Sequence, residues 1–323
     1  MKTTFRFLLL GYSKIAERRV LPAVKNLPGI GLCAVASRSR HKILCKDEPD
    51  LLCFSDYHEA LKEFSPDIVY VSLANADHAQ WARKSLNAGA HVIVDKPAFQ
   101  TLAEATELVK LSRSRGLILA EALVYAVHPQ ISRVKRCFSE AGSKISHISC
   151  HFTFPPLDSL NFRYSSSLGG GALMDLGPYA TSVGRVFFES PPTNIFCHTS
   201  KPSNNIEVEI AFTMMATYPK GETVSGRFDF NGEYTNQITA IGSGLSVHLE
   251  RFFTNPADLE NLIHYQCKNK LDTLTVPKAD VFQIFIERFI NAVRCKDYEY
   301  YSSNLLADAQ TREQLIVSSS DQE

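Results

Sequence analysis

For its first 122 residues the chain alternates short, uniformly apolar runs with amphipathic segments, and that rhythm constrains the fold more than any other feature. Strands that are apolar on both faces belong in a parallel sheet with helices on either side. The runs predict strands at Phe5 to Leu10, Gly31 to Ser37, near Cys53, Asp67 to Ala74, His91 to Asp95 and Leu117 to Ala120. Helices are expected between them, over Ile15 to Leu27, Arg40 to Lys46, Tyr57 to Phe64, Asp77 to Ala88 and Thr101 to Arg115. Thr101 with Glu104 makes a capping box at the start of the last helix, and Gly116 suits its end.

After Tyr125 the rhythm changes. Long alternating segments, Ile145 to Phe154, Ile206 to Tyr218, Thr223 to Phe230, Gln237 to Ile241 and Leu245 to Phe253, are separated by Gly, Pro and Asn turns. They predict an open, mostly antiparallel sheet. Helices from Tyr179 to Phe188 and from Val281 to Val293 are expected to cover one face of it, the second because Phe282, Phe285, Ile286, Phe289 and Ile290 recur at helical spacing. The tail Ser318 to Glu323 is low in complexity and expected to fray. The fold class is thus α/β, a doubly wound parallel sheet over residues 1–122 followed by an α+β domain over 123–323.

Charge excludes some partners. Lys plus Arg and Asp plus Glu number 34 each, so no net field draws the chain to nucleic acid or to an anionic membrane. No apolar run approaches the roughly 18 residues of a membrane span. The eight cysteines are scattered, with no CxxC and no metal-ligand spacing, which points to reduced thiols in a cytoplasmic protein and to no metal site.

The turn after the first strand reads Gly11-Tyr-Ser13-Lys-Ile-Ala16, a departure from G-x-G-x-x-G that keeps only the first glycine. Ser13 is small enough for close backbone approach to a pyrophosphate, and Ala16 is an accepted third position in a Rossmann turn. The turn lies where amide groups and the helix dipole meet phosphates. An acidic residue about 20 positions on would hold the ribose hydroxyl of NAD. Here Ser37-Arg38-Ser39-Arg40 stands instead, which suits a 2′-phosphate and favours NADP(H) over NAD(H). A solvated helix start is the plain alternative for those arginines.

Asp95-Lys96-Pro97 ends the fifth strand, where open α/β sheets bind ligands. About eighty residues later, Gly169-Gly-Gly171-Ala-Leu-Met-Asp175-Leu-Gly-Pro-Tyr179 sets a carboxylate and a phenol four apart, on one face if the segment is helical. Pro178 limits that reading, because it restricts the residue before it.

Together these residues resemble the Gfo/Idh/MocA oxidoreductases. The resemblance is carried by Gly11-Tyr-Ser-Lys-Ile-Ala with Leu21-Pro-Ala23, Ala74-Asn75-Ala-Asp-His78 with Trp81, and Ala88-Gly-Ala-His-Val-Ile-Val-Asp-Lys-Pro97. Glu121-Ala122 with His128-Pro-Gln130, and the Leu168 to Tyr179 run, complete it. Arg18-Arg19 before Leu21-Pro22, with Ala36-Ser-Arg38, looks most like the nucleotide-sugar 3-ketoreductase branch.

The resemblance implies a dinucleotide-binding domain at 1–122 and a domain for substrate binding and oligomerisation at 123–323. It implies a catalytic set of Lys96, Tyr179 and Asp175. Lys96 would polarise a carbonyl oxygen as hydride arrives, Tyr179 would protonate it, and Asp175 would orient a substrate hydroxyl. The cofactor set expected is Gly11, Ser13, Lys14, Ile15, Ser37, Arg38, Leu73, Asn75, His78, Asp95, Lys96 and Pro97. Tyr125, His128 and Arg163 are expected to meet a sugar or polyol substrate, Arg163 through a phosphate or carboxylate. A homodimer or homotetramer is expected, since the open sheet of the family often pairs between subunits. The reaction expected is reduction of a keto-sugar, with a nucleotide-linked C3 ketone as the narrower reading. A polyol or trans-dihydrodiol dehydrogenase, or a non-catalytic NADP-binding sensor, are the alternatives.

Overall fold

The computed structural model describes residues 4–40, 48, 51–201 and 206–320. Two compact units form, Met1–Ala122 with Phe282–Leu306, and Leu123–Val281 with Ala307–Glu323.

The first unit holds six parallel strands, β1 (Phe5–Leu10), β2 (Ile30–Ala36), β3 (Leu52–Phe54), β4 (Ile68–Val71), β5 (His91–Val94) and β6 (Leu119–Glu121), in the order β3-β2-β1-β4-β5-β6. Phe7 to Leu10 and the whole of β4 are fully buried, as a sheet covered on both faces requires. The strand order reverses between β1 and β4. The turns leaving β1, β4 and β5 therefore lie side by side at the carboxyl edge, the position where such sheets take ligands.

Local signals start and stop the covering helices. Asp56 accepts the amides of His58 and Glu59 to open Tyr57–Phe64, and the Thr101–Glu104 capping box opens Leu102–Ser114. The helix expected over Ile15 to Leu27 is instead a π turn, Ala16–Val20, running into a short α segment, Leu21–Lys25. Pro22 accounts for the change, since it has no N–H and its ring crowds the carbonyl four residues back. The helix expected over Arg40 to Lys46 lies, beyond its first residue, outside the described residues.

The helix Val281–Cys295 does not cover the antiparallel sheet as its spacing suggested; it groups with the first unit. Ile290 and Arg294 come against Gly29, Arg294 lies 5.8 Å over the Phe5 ring, and Arg19 lies 5.3 Å over Phe282. Periodicity revealed a buried face without naming its partner.

The second unit is built on an eight-stranded sheet ordered β14-β13-β12-β11-β7-β10-β9-β8. Its strands are β7 (Ile145–Thr153), β8 (Asn194–Ser200), β9 (Ala211–Thr217), β10 (Thr223–Asp229), β11 (Thr235–Gly242), β12 (Leu245–Glu250), β13 (Asn261–Cys267) and β14 (Lys270–Val276). Among the described residues of this sheet only the β7–β10 pair is parallel. Alternate residues such as Ile148, Cys150, Phe152, Ile238 and Val247 face a core shared with Leu176, Ala180, Val183 and Phe187. The tail expected to fray is helical as far as Ser320, within Glu299–Ser320, and Ser318 Oγ accepts the Cys197 amide of edge strand β8 at 3.1 Å. Among the described residues no helix is long and apolar enough to cross a membrane.

Candidate active site

In the first unit the site forms around three strand ends. Gly11 donates its amide to Ala36 and has a φ of 90°, a conformation that side chains resist. A Cβ there would stand 2.1 Å from the Ser72 carbonyl oxygen, so the β1 turn rests directly on the end of β4. Lys14 and Ile15 are exposed at the tip of the turn. Ser13 Oγ accepts the Ala16 amide at 3.1 Å and lies 2.8 Å from Ser72 Oγ.

Asp95, at the end of β5, receives Ser72 Oγ and Tyr70 Oη, each at 2.5 Å, one on either carboxylate oxygen. This carboxylate is directed at its neighbours in the sheet, whereas the sequence placed it among the cofactor contacts. Lys96 follows, half-buried, and Pro97 joins it through a cis peptide. His78 is fully buried between the two loops, with Nδ1 2.8 Å from the Pro97 carbonyl oxygen and Nε2 3.2 Å from that of Leu73. Burial pushes its pKa down, against the two carbonyls and Asp95, which favour the charged ring. Glu121 accepts the Ala98 amide at 2.8 Å and holds the same loop from β6. Asn75 is buried and Leu73 half-buried beside it.

At the end of β2 the two arginines part company. Arg40 makes a bidentate pair with Glu17 at 2.9 and 2.8 Å, and this bond holds the Glu17 carboxyl below its usual range. Arg38 is exposed, with its guanidinium stacked 4.6 Å over Tyr57. Ser37 turns inward, where its hydroxyl accepts the Arg40 amide at 3.1 Å. These residues fit a dinucleotide bearing a 2′-phosphate. The tight glycine turn lets a backbone approach, and Lys14 and Arg38 bring positive charge to the exposed edge.

In the second unit, Asp175 ends a short helix, Ala172–Asp175, and Tyr179 stands in the first turn of the next, Gly177–Phe188. Leu176, with helical dihedrals, joins them, and Pro178 sits in that first turn, where a missing N–H costs little. Asp175 is buried and accepts Arg163 Nε at 2.8 Å. Burial works against the Arg163 charge, but Asp175, Tyr179 and Tyr164 outweigh it, which puts the Tyr179 phenol within electrostatic reach of the guanidinium. The Tyr179 ring is half-buried against Phe152, Phe253 and Tyr125, with centroids 5.3, 5.1 and 5.9 Å away.

Two residues expected at the substrate lie in the core instead. Tyr125 is 2% exposed, bonds Ser182 Oγ at 2.7 Å, and has its pKa pushed up by burial. His128 is buried, and burial brings its pKa down to about 4. Its Nδ1 accepts the Gln130 amide at 3.1 Å as the cap of Pro129–Glu140. A neutral ring accepting at Nδ1 carries its proton on Nε2, which lies 3.0 Å from the Asn255 carboxamide. The carboxamide oxygen belongs on that side, since Asn255 Oδ1 otherwise has no partner. Arg163, expected to meet a substrate anion, is held by Asp175.

Sequence reasoning missed Tyr70, Ser72 and Glu209. Glu209 accepts the Leu173 amide at 2.9 Å and would meet any Cβ on Gly171 at 2.4 Å, so it sets the helix that carries Asp175. Among the described residues no cluster of His, Cys, Asp and Glu could hold a metal ion.

Comparison with known proteins bears on both units. A family model described as oxidoreductase family, NAD-binding Rossmann fold, matches residues 5–123, and one described as the GFO/IDH/MocA C-terminal domain matches 139–248. A dTDP-3,4-didehydro-2,6-dideoxy-alpha-D-glucose 3-reductase from Actinomadura kijaniata is 30% identical over 291 residues, 88% of this chain and 86% of its own. D-xylose 1-dehydrogenase (NADP(+)) 2 from Haloferax volcanii is 27% identical over 293 residues, 89% of this chain and 88% of its own. The crystal structure of a 3-ketoreductase from Actinomadura kijaniata with NADP and TDP-benzene superposes with a TM-score of 0.90 at 27% identity, covering 98% of both chains. Solved forms of that enzyme include one with a tyrosine replaced by phenylalanine and one with a lysine replaced by alanine.

Proposed function

Since the chain belongs to the Gfo/Idh/MocA oxidoreductase family, we propose that it is an NADP(H)-dependent oxidoreductase that reduces the ketone of a sugar, most specifically a C3 ketone on a nucleotide-linked sugar. The observation that carries this reading is the convergence of the Gly11 turn, the Ser72-Leu73 turn and the Asp95-Lys96 turn at the carboxyl ends of three adjacent strands. The likeness to dTDP-sugar 3-reductases over most of both chains supports the substrate class.

Gly11, Lys14 and Arg38 would hold the dinucleotide, whose reduced nicotinamide would supply hydride for the carbonyl carbon. Lys96 supplies a positive charge at the carbonyl oxygen, which favours the alkoxide character that develops as the carbon is reduced. Tyr179 donates its phenolic proton to that oxygen, a role worth about 10²- to 10⁴-fold for a well-placed acid. Asp175, oriented by Arg163, accepts a substrate hydroxyl. In oxidation the same groups run in reverse, Tyr179 taking the proton. The D-xylose dehydrogenase among the relatives favours a sugar or polyol dehydrogenase as the second reading.

Purified protein, NADPH and a panel of free and dTDP-linked 3-keto-sugars give the test. Loss of reduced-nicotinamide absorbance with the linked ketones is expected, and turnover should fall at least about 100-fold in Tyr179→Phe and Lys96→Ala. Unaltered turnover in both variants would dismiss the assigned roles. Turnover confined to alcohols with NADP+ would select the dehydrogenase reading.

We place the enzyme in the cytoplasm as a homodimer or homotetramer associating through the sheet face opposite the core. Cross-strand register lines up Thr273, His264, His248, Thr239, Ser149, Ser225, Met215 and Phe196 on that face, and Met215 and Phe196 are more than half exposed. Light scattering on the purified protein checks it, and a monomer at micromolar concentration would refute it.

A further inference from the structure

The hydroxyls at the three strand ends form a chain whose direction is fixed by chemistry. Asp95 carries a carboxylate that only accepts, so Ser72 and Tyr70 both donate to it. Ser72 has one proton, already given to Asp95, so in its 2.8 Å contact with Ser13 it accepts. Ser13 in turn donates to Ser72 while its oxygen accepts the Ala16 amide at 3.1 Å. The order runs from the Ala16 N–H at the π turn, through Ser13 and Ser72, to the residue that precedes Lys96. Tyr70, fully buried, closes the other carboxylate oxygen.

We infer that Ser13, Ser72 and Asp95 are positioning residues that tie the glycine turn after β1 to the loop bearing Lys96, so that the cofactor turn and the reactive lysine keep their places together. This rests on the NADP(H) oxidoreductase reading above. Ser13 stands where nucleotide turns usually carry a second glycine. On this inference the serine is a working part of the turn, and restoring the glycine weakens the site. The hydroxyl, not small size alone, is what the position requires.

The effect of losing one link follows from the modest net value of a hydrogen bond, which corresponds to a roughly threefold to tenfold change in an equilibrium. Ser13→Ala, Ser13→Gly, Ser13→Thr, Ser72→Ala and the Ser13→Ala/Ser72→Ala double variant are titrated with NADPH by fluorescence. Each is also assayed at saturating NADPH with the best keto-sugar. Ser13→Ala and Ser13→Gly should weaken NADPH binding roughly threefold to tenfold, and Ser13→Thr, which keeps the hydroxyl, should bind NADPH more tightly than either. Because the links act in series, the double variant should lose no more than its worse parent.

The split between KM and kcat separates positioning from mere shaping of the turn. Loss of the tie should lower kcat at saturating NADPH as well as raise KM for NADPH, since Lys96 is displaced too. Losses that add in the double variant, glycine binding NADPH as tightly as serine, or a change confined to KM would each overturn the inference. A thermal double-variant cycle on the protein without NADPH keeps the coupling measurable if a variant binds poorly. Coupling of Ser13 and Ser72 there supports the chain, and independence refutes it. Wild-type protein that bound no NADPH would overturn the oxidoreductase reading first, and the cofactor half of this inference with it.

Discussion

Replacing Arg163 distinguishes a substrate contact from an internal ion pair. Arg163 Nε lies 2.8 Å from Asp175 Oδ2, with the side chains 28% and 7% exposed. Unit charges about 4 Å apart at an effective dielectric near 20 attract by about 4 kcal/mol, before the cost of desolvating them. Removing one partner of a buried pair costs about 3–5 kcal/mol, because the other charge is left stranded. The partial exposure of Arg163 puts the expectation at the lower end, about 3 kcal/mol. Arg163→Met keeps the apolar stem and loses the charge. For a unit of this size that loss lowers the melting temperature by roughly 6–12 °C. Asp175→Asn combined with Arg163→Met should recover part of it, since no lone carboxylate remains buried. Calorimetry reads the stability, and KM for matched ketones with and without a diphosphate reads the alternative. If Arg163→Met melted with the wild type while KM rose only for the phosphate-bearing ketone, the guanidinium would belong to the substrate and the ion-pair reasoning would be wrong.

The remaining expectations follow from single contacts. Gly11→Ala forces a side chain into a left-handed conformation, at about 1–2 kcal/mol, and onto the Ser72 carbonyl besides; NADPH binding should be lost and the melting point lowered, and unchanged affinity in titration would refute the account of the turn. Arg38→Ala should weaken NADPH far more than NADH, while Arg40→Ala, whose guanidinium is engaged by Glu17, should not discriminate; equal losses for both cofactors in Arg38→Ala would remove the 2′-phosphate assignment. His128 has a folded pKa depressed to about 4, so the unfolded chain binds the proton first as pH falls. Its contribution to stability is whole above the ordinary histidine value and is lost progressively as pH falls from about 6.5 towards 4. His128→Asn, which can still cap the helix, should flatten that part of the denaturation profile, and an unchanged slope would show that the ring does not carry the effect.

Alternation of apolar runs and amphipathic segments was enough to read the six-stranded parallel sheet, because a strand buried on both faces leaves no other pattern. The capping box at Thr101 and Glu104 was legible for a similar reason, since its two bonds span three residues. What periodicity could not supply was the partner of a buried face. The stripe through Phe282 and Phe289 is equally suited to either sheet, and only the tertiary structure shows that Ile290 and Arg294 pack close to Gly29 in the first unit. Edge strand β14, with most of its residues exposed, carries too little alternation to stand out. The π turn before Pro22 was hidden because a proline near a helix start ordinarily signals a normal first turn.

Within the candidate site, legibility divides by the range of the interaction. Lys96 and Gly11 could be singled out because their positions follow from the backbone, one at a strand end and the other at a turn only glycine tolerates. Asp95, Tyr125, His128 and Arg163 carry the same residue types as true ligand contacts, and sequence alone offers no means to separate a polar side chain facing a ligand from one facing the protein. Each has a side-chain partner 12 to 127 residues away. Strand order changes that. Once β1, β4 and β5 are known to be neighbours, the residues just past their carboxyl ends must meet, and a serine on each of the first two beside an aspartate on the third leaves few arrangements that satisfy every proton. The connection between Ser13 and Asp95 is thus a consequence of topology acting on short polar side chains, and it is the part of the site that a reading of motifs, one loop at a time, is bound to miss.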